Sequence, residues 1–154
     1  MEDVELIGGG QALLLLRGEA QLKTVKLSAP FVVERGIWCQ GGRLHMEEGE
    51  VGQTWIAGLV VDADCKAELR GGRLGPSDIY GLLVLERGEV LVEGTLFSQT
   101  REAAVAVAKG GRARLFGVKA EGGKVGLLAS PAAQVEVERA LWSTQTPVLR
   151  QEVP

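Results

Sequence analysis

The residues that could carry chemistry in this 154-residue chain centre on its single histidine. Because His45 is the only histidine, a zinc site built from several histidines is excluded, and any catalytic triad would depend on this one ring. The repeat described below places His45 beside Glu68 on an outward surface, with Glu47 nearby. This group could transfer a proton or bind a metal. The simpler alternative is a solvated cross-strand pair worth about a few tenths of a kcal/mol.

An internal repeat defines the elements that would position these residues. Copies begin at residues 12, 36, 58, 81, 104, 126 and 148, so the spacing stays between 22 and 24 residues. Within each copy the apolar residues alternate, which is the period-two pattern of a β-strand. Glycines recur between the apolar segments, where a corner of the chain requires a positive φ. Each copy therefore predicts three short strands that pair with their equivalents in the next copy, as the turns of a coil do.

This repeat resembles the right-handed parallel β-helix of the pectin-lyase-like superfamily. We predict an all-β, single-stranded right-handed parallel β-helix of about six to seven turns of 22–23 residues, with three short strands per turn. In this single domain, 1–154, residues 1–11 would form an N-terminal cap or partial turn, 12–147 six turns, and 148–154 an end strand. The polar C-terminal sequence RQEVP would stop the coil. A β-sandwich is the alternative architecture.

The resemblance also implies a carbohydrate-active alternative. In lyases and hydrolases of that superfamily, paired carboxylates on the β-helix surface bind calcium or protonate a glycosidic bond. Asp62 and Asp64, which flank Ala63 at a predicted corner, would serve here together with His45 or Glu68. Short acidic residues are also common in turns, and the Asn-x-Asp, Asp-Asp and Arg-Ile-Lys motifs of those enzymes are missing. We therefore expect a non-catalytic protein with no cofactor and no metal.

Composition and the number of cysteines limit which classes of binding partner and which cellular compartment we expect. The net charge of −3 does not favour binding to nucleic acid or to an anionic membrane surface. No apolar run approaches the roughly 20 residues of a membrane span, and the acidic start MEDVEL lacks the pattern of a signal peptide. Cys39 falls in an inward column and Cys65 at a corner of the next turn, so we expect no disulfide and a cytoplasmic location. The absence of asparagine suggests a thermophile.

One outward column of the predicted first strand breaks the alternation, because all its members are apolar. A continuous stripe of this kind would expose on the order of several hundred Å², which soluble monomers rarely leave open. Either the chain covers the stripe with its N-terminal segment or a loop, or another protein does. We predict a scaffold or assembly module that forms a homo-oligomer, most simply a dimer, or binds a partner protein through this stripe. Its residues are Leu15, Trp38, Val60, Leu83, Ala106 and Leu128.

Overall fold

The strands of this chain coil into a right-handed parallel β-helix of about six turns, which confirms the fold predicted from the repeat. The computed structural model describes residues 4–6, 12–27, 33–52 and 54–153. All regular secondary structure in these segments is β-strand. The same segments contain no helix long and apolar enough to cross a membrane.

Each turn has three faces, numbered here in the order in which the chain visits them. Strand β1 (Val4–Leu6) pairs antiparallel with the start of β2, and the remaining ladders are parallel. Face 1 contains the first halves of β2 (Ala12–Lys23) and β4 (Val33–Glu47), then β6 (Thr54–Val61), β9 (Tyr80–Val84), β12 (Ala103–Val107), β15 (Val125–Ala129) and β18 (Thr146–Arg150). Face 2 contains the second halves of β2 and β4, then β7 (Cys65–Arg70), β10 (Glu89–Glu93), β13 (Arg112–Phe116) and β16 (Gln134–Glu138). Face 3 contains β3 (Lys26–Leu27), β5 (Glu50–Val51), β8 (Arg73–Leu74), β11 (Leu96–Ser98), β14 (Lys119–Glu121) and β17 (Leu141–Ser143).

The register of the ladders confirms the predicted inward columns. Leu59 pairs with Leu82 on face 1, and both side chains are fully buried. Face 3 aligns one inward residue per turn, and Phe97 in the middle of that column is also fully buried. Burying each such side chain contributes about 1.5–3 kcal/mol, so the stacked columns form the core that holds the coil together. The face 3 column consists of Leu27, Val51, Leu74, Phe97, Ala120 and Trp142.

The corner between faces 2 and 3 is held by a backbone ladder. Gly71, Gly94 and Gly117 adopt φ values of 63°, 68° and 62°, the left-handed conformation predicted for corner glycines. Glu48 and Arg139 occupy the same corner with φ values of 51° and 56°. The N–H of Gly71 donates to the carbonyl of a residue one turn later at 2.8 Å, and the same bond recurs along the corner. Because backbone groups make these bonds, the corner needs no ladder of asparagine side chains.

A second column of glycines lies inside face 1, which the corner pattern does not predict. A Cβ added at Gly81 would lie 2.9 Å from Cδ1 of Phe97 and 2.8 Å from the carbonyl oxygen of Ala104. In the next turn the equivalent positions hold two small residues, Ala104 and Ala120. Where the face 1 position is glycine, the face 3 position of the same turn holds a larger side chain that fills the space. The glycine pairs are Gly36 with Val51, Gly58 with Leu74, Gly81 with Phe97, and Gly126 with Trp142.

Cys39 and Cys65 form a disulfide, so the expectation that they stay apart is wrong. Cys39 lies at the end of face 1 in one turn, and Cys65 begins face 2 in the next turn, in register with Gly42. The corner between the two faces turns the inward side chains on its two sides toward each other, which brings the Cα atoms to 6.0 Å. Both residues are fully buried. The column pattern in the sequence aligns only equivalent positions of successive turns. It does not predict this contact, because the two cysteines lie on different faces and in different turns.

The C-terminal segment runs beside the last turn, and that RQEVP stops the coil stays a prediction. Strand β18 begins at Thr146, two residues before the predicted end strand, 148–154. After β18 the chain bends toward face 1, where the Ser130 hydroxyl donates to the Glu152 carboxylate at 3.1 Å. Val153 packs against the outer side of face 1. The segment is therefore lateral to the last turn.

Candidate functional site

The apolar stripe on face 1 is aligned as the repeat predicts. Trp38 pairs with Val60, and Val60 pairs with Leu83. Ala106 lies between Leu83 and Leu128 in the same ladder. Since these side chains alternate with core residues along each strand, they point away from the interior. Leu15 is in register with Trp38, but its side chain lies outside the described residues.

The stripe is not continuously exposed to solvent, because neighbouring side chains cover much of it. Val60 is 1% exposed, Ala106 0% and Leu128 7%. Trp38 and Leu83 are half-buried and are the points at which the stripe reaches solvent. The stripe therefore belongs to an apolar layer on the outside of face 1, which we call the outer layer. Its other members are Ala57, Tyr80 and Ala103, with Ile56, Ile79, Leu85, Val125, Leu149 and Val153 partly buried around them.

A second outward column, three residues before the stripe in each turn, completes the outer layer. Ala57 pairs with Tyr80, and Tyr80 with Ala103. A small inward residue follows each of these positions, Gly58, Gly81 and Ala104, and because the next residue also points inward, one strand has two outward columns. The repeated spacing of three between apolar residues was the signal for this column in the sequence. Burial raises the pKa of Tyr80 above its ordinary value of 10.0, and the negative charge of Glu102 raises it further.

Trp38 lies at one end of the outer layer and is held by polar groups. Its indole Nε1 donates a hydrogen bond to Oδ2 of Asp62 at 3.1 Å. The guanidinium carbon of Arg35 lies 4.2 Å from the centre of the Trp38 ring. Such a cation–π contact contributes about 0.5–1 kcal/mol at an exposed site. The indole is therefore fixed in a defined orientation with part of its surface open to solvent.

The carboxylates of Asp62 and Asp64 make the contacts of a turn. Oδ1 of Asp62 accepts a hydrogen bond from the Ala63 N–H at 2.8 Å. Asp64 has a left-handed φ of 64°, which aspartate tolerates better than most residues, and its carboxylate lies 3.8 Å from Arg87. One carboxylate thus points toward Trp38 and the other toward Arg87. They form no shared pair of the kind that binds calcium.

Face 2 brings His45 and Glu68 together, as the outward column predicts. Nδ1 of His45 lies 3.1 Å from the Glu68 carboxylate, and Nε2 lies 3.2 Å from that of Glu47. A neutral imidazole can donate at only one nitrogen, so both contacts are hydrogen bonds only when the ring is protonated. The side chains of His45 and Glu68 are 34% and 48% exposed, and such surface pairs contribute about 0–1 kcal/mol. Within the described segments, no group of three His, Cys, Asp or Glu side chains is placed to hold a metal ion.

The outer surfaces of faces 2 and 3 carry ion pairs between successive turns. On face 2 the Arg114 guanidinium lies 3.0 Å from Glu136, a pair that the outward column predicts. On face 3 the Lys26 ammonium lies 3.5 Å from Glu50. These charged side chains are largely exposed, so both faces are solvated surfaces. The outer layer of face 1 is therefore the apolar side of the coil.

Comparison of this chain with family models, with curated proteins and with solved structures finds no significant match.

Proposed function

We propose that this protein is a non-catalytic scaffold or assembly module, which associates with a second copy of itself through the outer layer of face 1. The observation that carries the proposal is the contrast between the faces: face 1 carries the apolar outer layer, with an ion pair between Glu34 and Arg35 beside it, while the outer surfaces of faces 2 and 3 carry ion pairs between successive turns. An apolar side on an otherwise charged prism is the usual character of an interaction surface. Binding to a different partner protein through the same layer is the variant of this proposal.

The half-buried members of the outer layer would provide the contact. Trp38 offers an indole whose orientation is already fixed by Asp62 and Arg35, so little side-chain entropy is lost when it is covered. Leu83 lies midway along the stripe, between the buried side chains of Val60 and Ala106. Tryptophan anchors beside apolar, water-excluded positions are typical of the centres of protein interfaces.

Sedimentation velocity tests this proposal. The wild-type protein should sediment at twice the 16.4 kDa of one chain, and Leu83→Glu and Trp38→Glu should shift it toward the monomer. Leu91→Glu, which places the same charge on the outer surface of face 2, is the matched control and should leave the assembly unchanged. A wild-type protein that remains monomeric up to about 200 µM would contradict self-association through any surface.

Placement in the pectin-lyase-like superfamily, in the cytoplasm and in a thermophile are further proposals. The length of the turns and their three strands support the first of these. The disulfide removes the argument for a reducing compartment, because cytosolic disulfides are rare in mesophiles. They are common inside hyperthermophiles, and the absence of asparagine fits the same environment. Alkylation of free thiols in native cells before lysis measures whether Cys39 and Cys65 are oxidised in their cellular compartment. A Cys39 that is alkylated, and therefore reduced, would show that the disulfide does not form in that compartment.

The carbohydrate-active alternative is favoured by one observation, the position of His45 between Glu47 and Glu68. It predicts that millimolar calcium or an acidic polysaccharide stabilises the protein against heat, and that Glu47→Gln with Glu68→Gln abolishes the effect, while Asp62→Asn with Asp64→Asn does not. Calcium without effect on the melting temperature, together with no retention on an acidic polysaccharide, would exclude this alternative.

A further inference from the structure

The disulfide adjoins Trp38, one of the two points at which the stripe reaches solvent. Cys39 directly follows Trp38 in β4, and Cys65 begins β7 in the next turn. Their bond lies at the corner between faces 1 and 2 and joins the two turns to which Trp38 and its hydrogen-bond acceptor Asp62 belong. The disulfide and the indole contact therefore connect the same two turns at the same corner.

Asp62 connects the two cysteines to the indole. Its backbone N–H donates to the carbonyl of Cys39 at 2.9 Å, and its backbone carbonyl accepts from the N–H of Cys65 at 3.1 Å. Its Oδ2 accepts the hydrogen bond from Nε1 of Trp38 at 3.1 Å, while Oδ1 accepts from the N–H of Ala63. The position of this carboxylate therefore depends on both cysteines, and the orientation of the indole depends on the carboxylate.

Reduction of the disulfide would disturb this arrangement from inside the coil. Both cysteines are fully buried, so the space around their sulfur atoms is already filled. Two thiols need more room than a pair of bonded sulfur atoms, and a packed interior accommodates added volume by shifting side chains and backbone. At this corner the shift separates two successive turns, and the hydrogen bond between Trp38 and Asp62 spans that gap.

We propose that the disulfide between Cys39 and Cys65 is a redox control on the presentation of Trp38. In the oxidised protein, Asp62 fixes the indole in the orientation that a second copy would cover. In the reduced protein the indole is released, and association through the outer layer weakens. The release of the indole is a property of the single chain, whereas the weakened association rests on the proposed function.

A dithiol is the class of reductant that this control requires. One of its thiolates attacks a sulfur of the disulfide, which breaks the S–S bond and forms a mixed disulfide with the protein. Its second thiol then displaces that cysteine, so the reductant becomes a disulfide while Cys39 and Cys65 together gain two electrons and two protons. Because both cysteines are fully buried, the reductant reaches them only when the corner opens, and reduction should be slower than that of an exposed disulfide.

Exchange of the indole proton with solvent, measured by NMR, tests the release of Trp38 in a single chain. The hydrogen bond to Asp62 should slow this exchange in the oxidised protein, and reduction with dithiothreitol should make it at least about tenfold faster. The signal that is lost in Trp38→Phe is the one to follow, and the indole of Trp55, which is 51% exposed, is the internal control. Alkylation and mass spectrometry verify that both cysteines are reduced.

Two aspartate variants separate the contact from the covalent bond. Asp62→Ala keeps the disulfide but removes the acceptor, so the indole of Trp38 should exchange rapidly even in the oxidised protein. Asp64→Asn is the matched control, because it removes a carboxylate of the same turn and asparagine tolerates the left-handed φ of 64° at this position. The indole should stay protected in this control. Slow exchange in oxidised Asp62→Ala would overturn the inference.

Sedimentation equilibrium of the oxidised and reduced protein tests the effect on association. Reduction should raise the dissociation constant at least about tenfold, as expected when an anchor residue of an interface is lost. Unchanged exchange at Trp38 after reduction overturns the inference and leaves the proposed function standing. Faster exchange with an unchanged dissociation constant overturns the control of association.

Two further outcomes separate the inference from the proposed function. If the oxidised protein is monomeric, the proposed function fails, and the exchange at Trp38 alone decides the inference. If reduction abolishes the far-ultraviolet circular dichroism of the strands, the inference is overturned, because the disulfide then holds the whole fold and not the indole in particular.

Discussion

The pairing of small face 1 residues with large face 3 residues predicts the cost of a single methyl group inside the coil. Gly81→Ala places a Cβ 2.9 Å from Cδ1 of Phe97, which is fully buried and cannot move into solvent. The neighbouring turn offers a milder case, since a Cβ at Gly58 would lie 3.1 Å from the carbonyl oxygen of Gly81 and 3.5 Å from Cδ2 of Leu74. Gly81→Ala should therefore destabilise the protein more than Gly58→Ala does.

The expected loss of stability in Gly81→Ala follows from the crowding around the added Cβ. Overpacking a core by one carbon costs about 1–3 kcal/mol, and replacing glycine by alanine returns about 0.4–1 kcal/mol by restricting the unfolded chain. Gly81→Ala should therefore lower the free energy of unfolding by about 1–2 kcal/mol. For a chain of this length, that corresponds to a fall in the melting temperature of about 3–6 °C. Gly41→Ala is the control, because a Cβ there meets nothing within 4 Å.

A double-mutant cycle isolates the contact with Phe97. Urea unfolding is measured for Gly81→Ala, Phe97→Leu and the double variant. If the ring causes the crowding, Gly81→Ala should cost at least about 1 kcal/mol less in the Phe97→Leu background than in the wild type. An equal cost in both backgrounds would refute the size complementarity and assign the penalty to the other two close atoms, the carbonyl oxygen of Ala104 at 2.8 Å and Cγ2 of Thr100 at 3.0 Å.

Three further predictions concern buried polar and covalent groups. The Thr100 hydroxyl is buried without a hydrogen-bond partner, whereas the Thr95 hydroxyl donates to a carbonyl at 2.8 Å. In urea unfolding, Thr100→Val should therefore be neutral or stabilising, while Thr95→Val should lower the free energy of unfolding by about 1 kcal/mol. An equal loss in the two variants would show that the Thr100 hydroxyl is hydrogen-bonded. Replacing Cys39 and Cys65 together by alanine opens a link across 26 residues and should lower the unfolding free energy by about 3 kcal/mol, and no loss would contradict the disulfide. Because the pKa of Tyr80 is raised in the folded protein, this phenol ionises at a lower pH in the unfolded chain, so stability should fall as the pH rises above 10.0. Urea unfolding at alkaline pH should show that Tyr80→Phe removes this fall. An unchanged fall in the variant would assign it to another group.

The columns were predictable from the sequence because a coil repeats each position at a nearly constant interval. Leu59 and Leu82 are 23 residues apart and face the same interior, so alternation and period together place them. The contact between His45 and Glu68 follows from the same rule, since outward residues also stack on their equivalents. Periodicity therefore determines the neighbours of a residue along the axis of the coil.

Contacts across the coil were not predictable in this way. The pairing of Gly81 with Phe97 joins faces 1 and 3 within one turn, and the disulfide joins faces 1 and 2 of different turns. Such contacts depend on how sharply each corner bends, which the column pattern does not contain. The burial of Ala106 is a related case: a small side chain between larger neighbours loses its exposure although its column faces outward.

The disulfide also divides the coil into two parts that should respond differently to force. In a stack of turns each turn is held mainly by its neighbours, so unfolding can proceed turn by turn from an open end. A pull on the C-terminus would first detach β18, β17 and β16, the strands that have a neighbour on one side only. Detachment would continue until it reaches Cys65, where the covalent link to Cys39 holds two successive turns together. The residues between Cys39 and Cys65 are thereby shielded from tension, because the force passes through the covalent link.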